Sequence, residues 1–516
     1  MPVTFAFWML AFSPILFLVL CMTFFHMSGA KAGILTWISA QLVAFFGFGA
    51  RLNILLNANF KAFFLALDVM LIIWGAMYLF QVTQSAGSIQ QIGSFLSGFS
   101  KSKAYLAIFL GWLFPSFLQG MGGFGVPIAV AAPLLVSVGF SPILSVFLAS
   151  IGHGWGVSFG SMGTSIRTVE AVTGLPIDAF APASAILLGI AAILSGLVVV
   201  FVAGGKKEFV PALPLTFFCG LILFVGQYVI AKTDFWIMAV TLPSLLSLAV
   251  GIILVGTLSP HSRKWLKEMD RKRWNEILFA LAPYALLVLL ILFFNFFLPL
   301  RTLLKPLNIQ LPFPSMSTDL GYQTPAEWSK GINFFLHPGT ILILTGFISF
   351  TVFEKKGRLQ QNTQKDLARI TLHSTRSTSI AIFSLVGAAV TMQHAGMISL
   401  LAEGISSIFS RNIYPLVAPF IGALGAFITG SNNNSNVLFA ALQLKTAELL
   451  RLPPAWILAA QTTGAALGSI MAPAKVILGC NTVGMEGKEG QVISRLILIC
   501  MAIIFTIGLF TLGFTR

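Results

Sequence analysis

The sequence predicts an all-α polytopic membrane protein with about 12 transmembrane crossings, arranged as two inverted repeats. Each repeat carries a re-entrant hairpin and an interrupted helix. Three observations predict this. First, 57% of the 516 residues are hydrophobic and only 9% are charged, against about 25% charged in an ordinary soluble domain. Second, the apolar residues fall in unbroken runs of about 20, the length of a spanning helix, and not in the short alternating segments of a membrane barrel. Third, two stretches, 104–165 and 412–480, are apolar but broken by Gly, Pro, Ser, Thr and Asn. Continuous helix is not expected through them.

Clear runs lie near 3–25, 32–50, 62–83, 183–204, 213–231, 236–257, 276–300, 335–353, 377–400 and 492–514. The first lacks a basic leader and a small-residue cleavage site, so it reads as a retained helix. The composition excludes a cytosolic enzyme, a disordered protein and a disulfide-rich module. Cys21, Cys219, Cys480 and Cys500 sit in apolar runs with no CxxC spacing and read as packing residues.

The net charge of +15 would suggest nucleic acid in a soluble protein. Here the cations cluster in short loops, as the positive-inside bias requires. The loop 258–275 holds Arg263, Lys264, Lys267, Arg271, Lys272 and Arg273. The loop 354–376 holds Lys355, Lys356, Arg358, Lys365, Arg369 and Arg376. Both should be cytoplasmic, with two spans between them and 301–334 outside. Counting back places Lys206, Lys207, Lys101 and Lys103 inside and the N-terminus outside. Glu170 and Asp178 then fall in an outside, solvated loop.

The two broken stretches resemble one another. Leu110–Gly154 set on Phe420–Gly464, a constant offset of 310, aligns Phe117 with Phe427, Gly120 with Gly430 and Leu148 with Leu458. In each copy an apolar stretch runs into a polar, flexible tip, 119–125 or 429–436, and a second apolar stretch follows. An interrupted segment comes next, 152–165 or 461–475. The organisation expected is an N-terminal half, 1–257, with a hairpin near 104–138 and a broken helix near 142–165. The basic loop 258–275 follows. The C-terminal half, 276–516, has a hairpin near 412–447 and a broken helix near 455–478. The loop count makes the first hairpin enter from inside and the second from outside. Paired interrupted segments point to a transporter's midplane site, because the backbone groups they free must meet protein, water or ligand. Glycines in membrane helices also serve close packing, which is the ordinary reading for Gly111 or Gly220. The cluster Gly120, Gly122, Gly123 and Gly125 beside Gln119 reads as a functional break.

Gln119, Thr429, Gly430, Ser431, Asn432, Asn433, Asn434, Ser435 and Asn436 can bind a carboxylate or hydroxyl without titrating. Lys475 can add charge attraction or snorkel to the interface. His153, Lys475 and Asp68 are the groups able to carry a proton. His394 and Gln393 interrupt the run 377–400 and could line the pathway. There is no Walker-type Gly-Lys-Ser/Thr and no paired carboxylate, metal cluster or nucleophile with its base. The chain therefore reads as neither a primary pump nor an enzyme, and as needing no cofactor and no metal.

The runs Ser116–Pro127, Leu134–Phe140 and Val157–Gly160 resemble the glycine-rich signature of the bacterial lactate permease family. The runs Thr429–Gln443, Thr462–Gly464, Pro473 and Gly487–Glu489 match it too. The resemblance implies a proton symporter of lactate or a related small 2-hydroxymonocarboxylate such as glycolate, in the bacterial cytoplasmic membrane. Departures accompany it. Gln119 and Asn432 stand where the family commonly has carboxylates. His153 and Gln461 replace asparagines, and Ala472–Lys475 replaces a Ser-Pro-Gln-Ser pattern. The core becomes more positive. That suggests a rival substrate, a doubly charged small organic acid, and a rival mode, uncoupled or Na⁺-coupled carriage. The partners expected are a small organic anion, H⁺ and lipid, with no nucleic acid. The oligomeric state stays open, a homodimer among the options.

Overall fold

The computed structural model describes residues 4–123, 125–329, 331–359 and 363–516. Two helices come first, α1 (Phe5–Thr23) and α2 (Gly29–Phe48). The Thr4 hydroxyl caps α1 by accepting from the Phe7 N–H, and Gly49 closes α2 in the left-handed region (φ 64°).

The first repeat follows. A long helix α3 (Leu52–Ser85) leads into a short amphipathic helix α4 (Ser88–Gly98). The first hairpin arm is one rod: α5 (Lys103–Leu106), a π-helical stretch Ala107–Leu113, and α6 (Phe114–Met121). The chain turns back into α7 (Val126–Ser137). Next come α8 (Pro142–Gly154) and α9 (Gly160–Thr173), bent by 46°. The break carries three consecutive left-handed residues, Ser161, Met162 and Gly163. Helix α10 (Ile177–Ala231) is two helices joined at Gly205, where the chain folds back on itself with a φ of 58° and ψ of −176° that only glycine adopts readily. Gly189 lies against Phe224 and Gly220 against Ile193, so its halves are antiparallel. The runs at 183–204 and 213–231 are those two halves.

A connecting region of α11 (Thr241–Leu258), α12 (Pro260–Lys267), α13 (Arg271–Phe296) and α14 (Leu298–Leu304) follows. Strands β1 (Pro312–Phe313), β2 (Met316–Ser317), β3 (Gln323–Thr324) and β4 (Glu327–Trp328) form two nested antiparallel pairs, β1 with β4 and β2 with β3. Arg51–Asp319 (2.7 Å) and Lys61–Glu327 pairs pin this segment over the start of α3. Helix α15 (Pro338–Lys355) closes the region.

The second repeat has the order of the first: α16 (Gln364–His394), short amphipathic α17 (Met397–Ile408), hairpin arms α18 (Tyr414–Thr429) and α19 (Asn432–Leu449), then α20 (Pro454–Met471) bent by 44° into α21 (Pro473–Thr482), then α22 (Glu489–Thr515). The arms differ in length. Helix α19 has 18 residues against 12 in α7, so a constant offset of 310 aligns the copies only on average. Both hairpins press on their broken helices through glycine. A Cβ on Gly152 would fall 1.8 Å from the Gly111 carbonyl oxygen, and one on Gly464 would fall 1.8 Å from that of Pro419. Backbones meet there with nothing between them, the small-residue packing that stands in for a hydrophobic drive inside lipid.

Among the described residues nine helices are long and apolar enough to span a bilayer, or up to eleven with the bent pairs. The first hairpin arm is one of the nine, α10 counts twice, and α15, at 18 residues, reaches about 27 Å. About 12 crossings result. The first hairpin arm is 94% buried whereas α1 and α13 are each 28% buried. The hairpins are therefore the protein core. Residues such as Phe46 and Leu498, three-quarters exposed, form the lipid-facing surface.

Three sequence expectations are corrected. The amphipathic helices α4 and α17 interrupt what read as loop and as the end of the run 377–400. Helix α16 begins at Gln364, inside the segment read as a basic loop. Hydropathy marks where a helix is dry, and its first turns are wet. A capping box between Thr363 and Asp366 starts it. Glu170 is not solvated: it is buried in α9 against Arg167.

Candidate functional site

The two hairpin tips and the two helix breaks converge. At the first tip, Gly123 (φ 52°) and Gly125 (φ 90°) reverse the chain. Phe124, within the predicted motif, lies outside the described residues. A Cβ on Gly123 would stand 1.9 Å from the Ser161 Oγ, and one on Gly120 2.4 Å from the Thr241 Oγ1. These glycines let the tip sit directly on the first helix break and on α11. Gly122 packs beside Phe80, and Gly125 beside Leu478 of α21.

The second tip is built for hydrogen bonding. Gly430 (φ 69°) ends α18, and the Ser431 hydroxyl caps α19 by accepting from the Asn434 N–H at 3.4 Å. The asparagines then reach the opposite repeat. Asn432 Nδ2 donates to Ser158 Oγ (3.0 Å), Ser165 Oγ donates to Asn433 Oδ1, and Asn436 Nδ2 donates to the Ser165 carbonyl (3.1 Å) and Thr462 Oγ1 (3.0 Å). Ser158 Oγ in turn donates to the Thr462 carbonyl at 2.9 Å. Ser435 donates to the Gly422 carbonyl at 2.7 Å, inside its own hairpin. This second tip, the first break and α20 thus form one polar network at the centre of the molecule. Buried polar groups at such depth favour mutual satisfaction, and here the Asn432 and Asn436 Oδ1 atoms are left without a partner among the described residues.

A cavity of about 330 Å³ opens beside the network. Of the residues singled out in the sequence, Gln119, Thr429, Gly430, Ser431, Asn432, Asn433, Asn434 and Lys475 line it. Gly120, Gly122, Gly123 and Gly125 shape the tip behind it, and Ser435 and Asn436 brace the network. The walls also take in Ser161, Thr164 and Ser165 from the first break. Ser374, Thr375, Ser377 and Thr378 come from α16. Sequence reading missed these last four: Ser374 and Thr375 lie in the segment read as the loop 354–376, and Ser377 and Thr378 are the first residues of the run 377–400. Their spacing, i, i+1, i+3 and i+4, is that of a helix face.

Among the described residues, Lys475 is the one charged side chain in the cavity lining. Its Nζ donates to Ser469 Oγ at 3.0 Å, and no carboxylate pairs with it among the described residues. Helix α19 also starts at the cavity, and N-terminal amides favour anions. The cavity is therefore a hydrogen-bond-rich chamber of positive potential.

His153 and Asp68 lie elsewhere. His153 is buried in the last turn of α8, with Nδ1 2.6 Å from the Ala149 carbonyl oxygen. Asp68, in α3, takes two bonds from Arg167 (2.5 and 2.7 Å) and faces His337 Nε2 at 3.1 Å, while Arg167 also holds Glu170 at 2.9 Å. No partner for Asp68 is legible in the sequence, since Arg167 is 99 residues away. Gln393 and His394 close α16 and do not line the cavity.

The L-lactate permease of Streptococcus iniae is 28% identical to this chain, over 88% of it and 94% of the relative. The glycolate permease of Escherichia coli is 24% identical, over 98% of this chain and 95% of its own. Among solved structures, the chain is similar to the YdaH transporter of Alcanivorax borkumensis, with a TM-score of 0.48 at 14% identity over 86% of this chain and 84% of that one. A family model described as L-lactate permease matches residues 8–514. On that match, spanning both hairpins and both broken helices, the chain belongs to the L-lactate permease family of membrane transporters.

Proposed function

We propose that this protein carries lactate or a related small 2-hydroxymonocarboxylate across the bacterial cytoplasmic membrane by proton symport with alternating access. One observation supports the substrate class above all. A small polar cavity at the meeting of both hairpin tips holds, among the described residues, a single lysine that no carboxylate balances. An anionic ligand supplies the missing charge. The carboxylate would sit between Lys475 and the first turn of α19, with Gln119 and Asn433 as further hydrogen-bond partners.

The cavity walls at Gly29, Ser374 and Lys475 belong to helix ends that the basic-loop rule assigns to the cytoplasm. In this reading the conformation is inward-facing. Six crossings lie between α3 and α16 (the bent α8–α9 pair, both halves of α10, α11, α13 and α15), and this even number sets the two repeats in opposite orientation, as alternation of access by paired repeats requires. Gln119 and Asn432 cannot carry the proton, because amides do not titrate in the working range. Lys475 is the titratable group at the ligand, so it leads as the coupling residue, ahead of His153 and Asp68.

The same positive chamber also favours the rival ligand, a doubly charged small acid. Uptake of labelled lactate by proteoliposomes, with competition by glycolate, succinate and sulfolactate, separates them. Strong succinate uptake without lactate uptake would transfer the assignment. Accumulation driven by an imposed pH gradient with Na⁺ absent tests the coupling. Exchange without any pH-driven accumulation would sink proton symport.

A further inference from the structure

The cavity is chemically two-sided. One wall gives hydrogen bonds: Lys475 and the N-terminal turn of α19. The opposite character belongs to α16. Ser374 Oγ donates to the Thr371 carbonyl at 3.0 Å, and Thr375 Oγ1 donates to the same carbonyl at 2.8 Å. A hydroxyl has one hydrogen and two lone pairs. With its hydrogen committed to the helix backbone, each of these side chains presents only lone pairs to the cavity.

From this we infer that Ser374 and Thr375 are specificity-determining residues that accept a hydrogen bond from the hydroxyl group of the transported acid, so that a 2-hydroxy acid is preferred over its oxo or deoxy counterpart. The inference rests on the proposed carriage of small carboxylates. Its geometric support is the helix face. Ser374, Ser377, Thr378 and Ala381 form an i, i+3, i+4, i+7 row on α16, and all four line the same cavity as Lys475. Gly29 of α2 lies between Ala381 and Asn434 Nδ2, at 4.0 and 3.7 Å from where its Cβ would be, so the row leads to the α19 tip. A ligand whose carboxylate rests at Lys475 and α19 has this row as its neighbour.

A lactate hydroxyl can donate to the row. The keto oxygen of pyruvate cannot, because it too is an acceptor, and a methylene offers nothing. The discrimination should be moderate. Ser374 is exposed to the chamber, so water can satisfy its lone pairs when the ligand fails to. A fully dry site would reject the wrong ligand far more strongly. One net hydrogen bond corresponds to roughly a 2- to 12-fold preference.

The test is competition of unlabelled lactate, pyruvate and propionate against labelled lactate in proteoliposomes. The variants are Ser374→Ala, Thr375→Val, the double variant and Thr375→Ser. The double variant should lower the lactate-over-pyruvate preference by roughly 2- to 12-fold, the worth of that one bond, through weaker lactate binding with pyruvate little changed. Thr375→Ser keeps an acceptor and should keep the preference. Equal weakening of both acids, or an unchanged ratio in an active double variant, would overturn the assignment. Should Thr375→Val fold poorly, Ser374→Ala decides alone, since its side chain faces the chamber. Failure of wild-type protein to carry any 2-hydroxy acid is a different result, and it removes the functional reading itself.

Discussion

Replacing Arg167 should destabilise the protein more than replacing its partner Asp68. The guanidinium bridges two carboxylates, bonding Asp68 at 2.5 and 2.7 Å and Glu170 at 2.9 Å. The three side chains are only 13%, 8% and 8% exposed, so screening by water is weak. Arg167→Met removes the shared cation from two buried carboxylates. Breaking a buried pair in this way costs about 3–5 kcal/mol. Asp68→Asn leaves the Arg167–Glu170 pair in charge balance. It loses the charge on one bidentate contact, worth about 1.5–3 kcal/mol. Arg167→Lys keeps the charge but not the fork, and should fall between them. The triple change Asp68→Asn, Arg167→Met, Glu170→Gln removes these three charges at once and should recover part of the loss. The assay is the unfolding midpoint of detergent-solubilised protein for the four variants. If Asp68→Asn proves as damaging as Arg167→Met, or the triple variant is the worst of all, the charge-balance reasoning is wrong.

Other outcomes are expected at the tips and seams. Lys475→Met should raise the half-saturating lactate concentration by roughly 10- to 100-fold, the worth of a charged hydrogen bond, with little change in melting temperature; an unchanged value would remove the lysine from the site. Gly123→Ala should abolish uptake, because its Cβ would collide with the Ser161 Oγ. Adding Ser161→Gly should restore part of the activity, the strain at φ 52° remaining. Gly464→Ala should cost about 1–3 kcal/mol or more by forcing α20 off the Pro419 carbonyl, and Gly152→Ala should do the same in the first repeat; melting curves of both variants check this symmetry.

Much of the architecture could be read in advance because lipid imposes a simple rule. A polar run such as Ser431–Asn436 between two apolar arms has few options other than a tip inside protein. The same rule hid other parts. Helices α4 and α17, 11 and 12 residues long, are amphipathic and too short to span, so hydropathy passes over them. A subtler signal was present. Gln84, Ala86, Gly87 and Ile89 recur as Gln393, Ala395, Gly396 and Ile398, with each glycine left-handed at the start of its short helix. The hydroxyl face of α16 was hidden by the charges around it, Arg369, His373 and Arg376, which point the eye to solvent. Pairing Asp68 with Arg167 needed the fold, since nothing local links α3 to α9.

The burial of the first hairpin arm bears on how the chain can be made. Its rod is almost wholly enclosed, yet several of its neighbours are synthesised later. Trp112 rests against Gly196 and Gly220, and Phe109 against Gly251. During translation the rod therefore leaves the ribosome before several of the helices that cover it, although Phe99, edge-on to Phe109, precedes it. It carries Trp112, Ser116 and Gln119, groups poorly suited to bare lipid. Insertion must be provisional, with the rod held near the translocation machinery until α10 has folded back at Gly205 and α11 has arrived. A nascent chain released soon after Gly205 would lack Gly220 and Gly251, the later neighbours of Trp112 and Phe109, whereas one released after Leu258 would carry every partner named here. Quality-control proteolysis should distinguish those two truncations sharply.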